Sequence, residues 1–85
     1  MYKIFLTSKA QREYTKLPTV IAHTIKAVIF GPLRENPFSR SLDIKKLQVP
    51  LEGFRLRVGD YRVMYDIEEK WIKIYSIRHR KDAYK

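Results

Sequence analysis

The sequence contains no cysteine. That excludes a disulfide scaffold and a thiolate zinc site, and it fits a reducing compartment. Histidine is scarce: His23 and His79 lie far apart with no metal-ligand spacing, so neither a metal nor any other cofactor is expected. Long apolar runs are missing. Near the N-terminus Ile4 to Leu6 is too short for a signal-peptide core, and nothing approaches the roughly 20 residues that cross a bilayer. The expected location is the cytoplasm, with no membrane partner. Acidic residues are few. Nine Asp and Glu face 18 Lys and Arg, which leaves a net charge of +9.

What is present suffices for a folded unit. Hydrophobic residues make up 45% and aromatics 13% of the 85 residues, too much for a disordered segment. This length accommodates one domain, residues 1–85, that buries about 60–65% of its unfolded surface. An excess of positive charge attracts phosphate backbones, anionic membrane surfaces or an acidic protein. Nucleic acid fits a compact basic domain best. A membrane surface fits poorly, since no helix pairs a basic face with a broad apolar one.

Periodicity divides the chain into elements. Tyr2, Ile4 and Leu6 alternate with Lys3 and Phe5, as in a strand. Ser8 is placed to cap a helix, with Gln11 completing a capping box, and Ala10, Tyr14 and Leu17 follow at helical spacing. Pro18 ends that helix and suits the start of another. The second helix carries Ile21, Ile25, Val28 and Ile29 on one face, and Gly31-Pro32 ends or kinks it near Phe30. Asn36-Pro37 marks a turn. Asp43 to Leu47 is a short extended or helical piece, and Pro50 and Gly53 bracket a loop. Phe54, Leu56 and Val58, then Tyr61, Val63, Tyr65 and Ile67, alternate as strands about Gly59-Asp60, a pair suited to a type II′ turn. Glu68-Glu69-Lys70 turns the chain into a last strand, Trp71 to Ile77. The expected architecture is α+β in the order β-α-α-β-β-β, a twisted antiparallel sheet with a helical hairpin packed on one face. The face formed by Phe54, Leu56, Val58, Tyr61, Val63 and Tyr65 should pack on Ile21, Ile25 and Val28.

The Gly59-Asp60 turn fixes a register. Val58 faces Tyr61, Arg57 faces Arg62, Leu56 faces Val63 and Arg55 faces Met64. A period of two then puts Arg55, Arg57 and Arg62 on the face away from the core. Like charges directly across a strand pair cost about 0.2–1 kcal/mol, so this crowding makes sense if an anion sits among them. The guanidinium fork binds phosphate oxygens in pairs and stays charged at any working pH. The competing account is a solvated face relieved by acids such as Asp66 or Glu52.

The stretch Phe54-Arg55-Leu56-Arg57-Val58-Gly59-Asp60-Tyr61-Arg62-Val63-Met64-Tyr65 resembles the central hairpin of the RelE/ParE toxin superfamily. The tail His79-Arg80-Lys81-Asp82-Ala83-Tyr84 is similar to that of its RelE branch, and Asp43 to Leu47 and the β-α-α opening also fit. The resemblance implies a toxin of a type II toxin–antitoxin system. Such an enzyme would be a metal-independent endoribonuclease that cleaves mRNA in the ribosomal A site and is held inactive by a cognate antitoxin. It implies that Arg55 is a basic catalytic residue, that Arg62 binds phosphate, that Arg80 lies near the leaving group and that Tyr84 stacks on a base. Where some members carry a second lysine, this chain has Gly53; Lys45 and Lys46 are the candidates to replace it. With Arg57 they form the expected RNA-binding set.

Cleavage would use the RNA 2′-hydroxyl as nucleophile. The protein must accept a proton, offset charge on the phosphorane and protonate the leaving oxygen. Arginines suit the middle task and are poor proton carriers. His79 is the residue near the motif whose ordinary pKa lies close to neutrality, which makes it a candidate acid or base, or a structural cap at the strand end. Two alternatives stay open: a ParE-like inhibitor of DNA gyrase without nuclease chemistry, and a catalytically idle RNA-binding module.

Overall fold

The computed structural model describes residues 1–48 and 52–81. Five strands form one sheet: β1 (Lys3–Leu6), β2 (Asp43–Lys46), β3 (Phe54–Val58), β4 (Tyr61–Glu68) and β5 (Trp71–His79). Two helices, α1 (Ser8–Thr15) and α2 (Thr19–Val28), connect β1 to the rest. The strand order is β1-β5-β4-β3-β2.

Two features go beyond the sequence reading. The Asp43 piece is a strand, pairing antiparallel with β3 and extending the sheet beyond the hairpin. The sheet is also mixed, because β1 lies parallel to β5. The helical hairpin carries the chain from β1 to β2 at the far edge of the sheet, from where the antiparallel strands return to set β5 beside β1. Ser8 is not the cap of α1. Thr7 caps it, its Oγ1 accepting the Ala10 N–H at 3.1 Å. Thr7 is still extended and donates its N–H to the Ile74 carbonyl, so the helix starts one residue earlier than the capping box suggested. At Gly31-Pro32 the second helix kinks: Ile29–Leu33 forms a π-helical turn in which Gly31 leaves helical backbone geometry. Pro32 has no N–H to give the regular ladder.

The hairpin register is the one the turn dictates, Val58 to Tyr61 through Phe54 to Tyr65. Gly59 has φ +60° while Asp60 does not share that region, which is the type II′ combination. Leu56, Val63 and Tyr65 are buried against Ile25, Ile29 and Leu33, and β5 adds Ile72, Ile74 and Ile77. Ile21, Val28, Phe54, Val58 and Tyr61 pack around this cluster. Burying each large apolar side chain contributes about 1.5–3 kcal/mol. The Tyr65 hydroxyl donates to the Pro37 carbonyl at 2.8 Å, so the ring enters the core without an unpaired polar group. No helix among the described residues is long and apolar enough to cross a membrane.

Candidate anion-binding face

With one face of the sheet committed to the core, alternation sends every second side chain of β2–β5 to the other. Register then assembles two rows. One runs Asp43, Arg57, Arg62, Arg78, each directly across from the next. The neighbouring row runs Lys45, Arg55, Met64, Ser76. These two rows therefore bring five basic residues to this face.

Arg78 was not among the residues singled out from the sequence. Simple alternation from Ile72 and Ile74 turns Ser76 and Arg78 inward. A bulge opposite Met64/Tyr65 inserts Tyr75 as an extra residue and reverses the parity. Ile77 goes to the core, and Arg78 joins Arg62. The signal that could have found it is the spacing of Ile72, Ile74 and Ile77, which no unbroken strand places on one face.

The arginines differ in what they touch. Arg57 donates through Nε to the Gly59 carbonyl at 3.2 Å. Arg55 approaches Asp43, Nη2 to Oδ1, at 4.0 Å. Arg78 is bound by Glu13 of α1, Nε to Oε2, at 3.0 Å. Arg62, in the middle of the row, forms no ion pair among the described residues. Its Nε and Nη1 are buried there without a hydrogen-bond partner. A buried charged donor with nothing to bind is costly, and an anion between the guanidinium groups would satisfy it. Among the described residues, the acids paired with these arginines are Asp43 and Glu13, rather than the Asp66 and Glu52 considered from the sequence.

The remaining candidates fall in different places. Lys45 stands across from Arg55 on the basic face, whereas Lys46 stands across from Phe54 on the other. Arg80 lies at the end of the sheet beside the β3–β4 turn. Its N–H donates to the Asp60 carbonyl at 2.7 Å, and its Nε lies 3.7 Å from the Asp60 carboxylate. His79 is not brought to the arginines. It pairs with Tyr61 on the helix side, the two rings edge to face at 5.2 Å, and its Nδ1 accepts the Lys81 N–H. Tyr84 lies outside the described residues.

Gly53 cannot hold a side chain in this backbone. Its φ is +91°, and a Cβ there would collide with the Tyr65 carbonyl. Nearby, the Tyr75 hydroxyl donates to the Glu52 carbonyl at 2.7 Å. Burial, then the charges of Asp66 and Glu52, push its pKa upward, so it stays a neutral donor.

A mixed sheet backed by a helical hairpin, with its other face lined by arginines, defines a small cation-faced domain suited to a polyanion. Over residues 4–84 the chain matches the family described as the ParE toxin of the type II toxin–antitoxin system parDE. It belongs to this RelE/ParE superfamily of toxins. It is 36% identical to Toxin RelE of Mycobacterium tuberculosis, over 99% of this chain and 87% of that one. Toxin RelG of the same organism is 32% identical, over 99% of this chain and 97% of the relative. Among solved structures, the toxin–antitoxin complex RelBE2 from M. tuberculosis contains a chain with a TM-score of 0.82 and 33% identity, covering 93% of this chain and 98% of that chain. A chain of the RelB–RelE antitoxin–toxin complex from Methanococcus jannaschii superposes with a TM-score of 0.79 at 26% identity, covering 94% of each chain.

Proposed function

We propose that this toxin is a ribosome-dependent, metal-independent endoribonuclease that cuts mRNA and so stops translation. The observation that carries the reading is Arg62: a guanidinium with buried, unpartnered nitrogens, flanked in register by Arg57 and Arg78. The scissile phosphate is the anion that would satisfy it. The RNA 2′-hydroxyl loses its proton and attacks the adjacent phosphorus in line. The P–O5′ bond breaks, leaving a 2′,3′-cyclic phosphate and a 5′-hydroxyl that takes up a proton. Arg62 and Arg78 offset the charge that builds on the phosphorane oxygens, and removing one such donor costs roughly 10²–10³ in rate.

Arginine does not carry protons at working pH. The proton steps rest on Lys45, across from Arg55, and on groups of the ribosome–mRNA complex, which makes dependence on the ribosome a chemical expectation. Arg55 and Arg57 hold the backbone on either side of the cut, Arg80 guides the strand past the Asp60 turn, and Tyr84 stacks on a base. A cognate antitoxin restrains the activity, laying acidic side chains near Arg55 and Arg62. Toxin–antitoxin complexes among the solved relatives support such a partner.

Primer extension on mRNA from cells in which the toxin is induced tests the proposal. Cuts within codons of translated messages are expected; arrested translation with intact messages would contradict it. The family description also names ParE, and gyrase inhibition is the second reading. Loss of supercoiling by purified gyrase that persists in the double variant Arg62→Ala, Arg78→Ala would favour it.

A further inference from the structure

We infer that Glu13 of α1 is a positioning residue that sets the Arg78 guanidinium beside Arg62, an assignment that rests on the nuclease reading for its catalytic consequence. The carboxylate makes two kinds of contact at once. Oε1 accepts the main-chain N–H of Ile77 at 2.9 Å, fastening α1 to β5. Oε2 receives Arg78 Nε at 3.0 Å and Lys9 Nζ at 3.3 Å. Lys9 in turn lies 3.3 Å from the Ser76 hydroxyl, the residue one place along the neighbouring row.

This arrangement follows from topology. β1 covers the edge of β5 only as far as Ile74, where the Thr7 N–H makes the last bond. Beyond it no strand among the described residues covers the β5 edge, and α1, entering directly after β1, brings Glu13 there. The Glu13 side chain is 18% exposed and that of Arg78 35%, so water screens their pairing only partly. Contact through Nε, the inner nitrogen, fixes the plane of the guanidinium head. A negative charge at this point also relieves the repulsion between Arg78 and Arg62, which stand directly across from each other. Two guanidinium groups side by side are what a phosphorane needs and what a sheet without a compensating acid would not keep.

Glu13→Gln separates the two jobs. The amide oxygen still accepts the Ile77 N–H, but the amide nitrogen now faces Arg78 Nε, donor against donor. Cleavage on programmed ribosomes should drop by about 10- to 100-fold in kcat, the loss expected from displacing a reacting group by about an ångström, with KM and Tm close to wild type. In an Arg78→Ala background Glu13→Gln should change kcat by less than about twofold, because the group it positions is gone. A second measurement does not require turnover. In Nε–H spectra, the Arg78 signal should exchange slowly in the wild type and fast in Glu13→Gln, and inorganic phosphate should shift it at lower concentration in the wild type. Wild-type kcat in Glu13→Gln, an equal loss in the Arg78→Ala background, or unchanged Arg78 exchange would overturn the inference. If the wild type leaves A-site mRNA intact, the nuclease reading falls and the spectra alone decide the role of Glu13.

Discussion

Arg57 and Arg62 are direct partners across the β3–β4 ladder, two arginines opposite each other on the sheet surface turned away from the helices. Arg78 continues the line from the far side of Arg62. At the centre of that row Arg62 is placed against the stability of the fold. The cross-strand repulsion and the unpartnered nitrogens of Arg62 both oppose it, so the row is where function and stability should pull apart.

Arg62→Leu should therefore leave the toxin as stable as the wild type or raise its stability by about 0.5–1 kcal/mol, since it deletes a like-charge pair and buried unsatisfied donors together. Urea unfolding measures this. A loss of more than about 1 kcal/mol would mean that Arg62 is a structural residue.

Gly53 should tolerate neither alanine nor lysine. A side chain there meets the Tyr65 carbonyl and must hold a backbone angle suited to glycine. Gly53→Ala should cost about 2–4 kcal/mol in urea unfolding. A variant as stable as the wild type would show that the 52–54 backbone differs from the one described.

Alkaline stability should depend on Tyr65. Burial pushes its phenol pKa up from the ordinary 10.0, so the unfolded chain releases this proton from about pH 10 while the folded chain holds it to higher pH. The unfolded state then binds fewer protons, and stability, complete below pH 10, falls as pH rises by up to about 1.4 kcal/mol per unit for this group. Tyr65→Phe should lose about 1 kcal/mol at neutral pH with the hydrogen bond to Pro37 and show a shallower alkaline decline. An identical decline in both proteins would refute the assignment.

RNA affinity should fall steeply with salt. For a single strand, log K changes by about −0.7 per phosphate contact against log salt, so Arg57→Ala should lower the slope by roughly that amount. Anisotropy titrations with a non-cleavable 2′-deoxy oligonucleotide give the slopes. Equal slopes would remove Arg57 from the interface.

Legibility in the sequence followed distance along the chain. The Gly59-Asp60 turn is local, and a two-residue turn admits one register, so the facing of Arg57 and Arg62 could be read directly. The parallel pairing of β1 with β5 joins the two ends of the fold, and nothing in Lys3–Leu6 names its partner. The β2 piece was ambiguous because four residues of mixed charge fit either period. Arg78 and His79 exchanged faces because the Tyr75 bulge shifts parity, a feature set by packing of Ile77 against Val63 rather than by composition. That exchange moves the histidine to the helix side and supplies the arginine that the row would otherwise lack.

The most direct measurement is single-turnover cleavage of mRNA held in the A site of programmed ribosomes, comparing the wild type with Arg62→Ala. The account predicts cutting by the wild type and a rate reduced by at least about 10²-fold in the variant, with ribosome binding largely kept. Equal rates in the two proteins, or translation halted by the wild type with the message uncut, would contradict it.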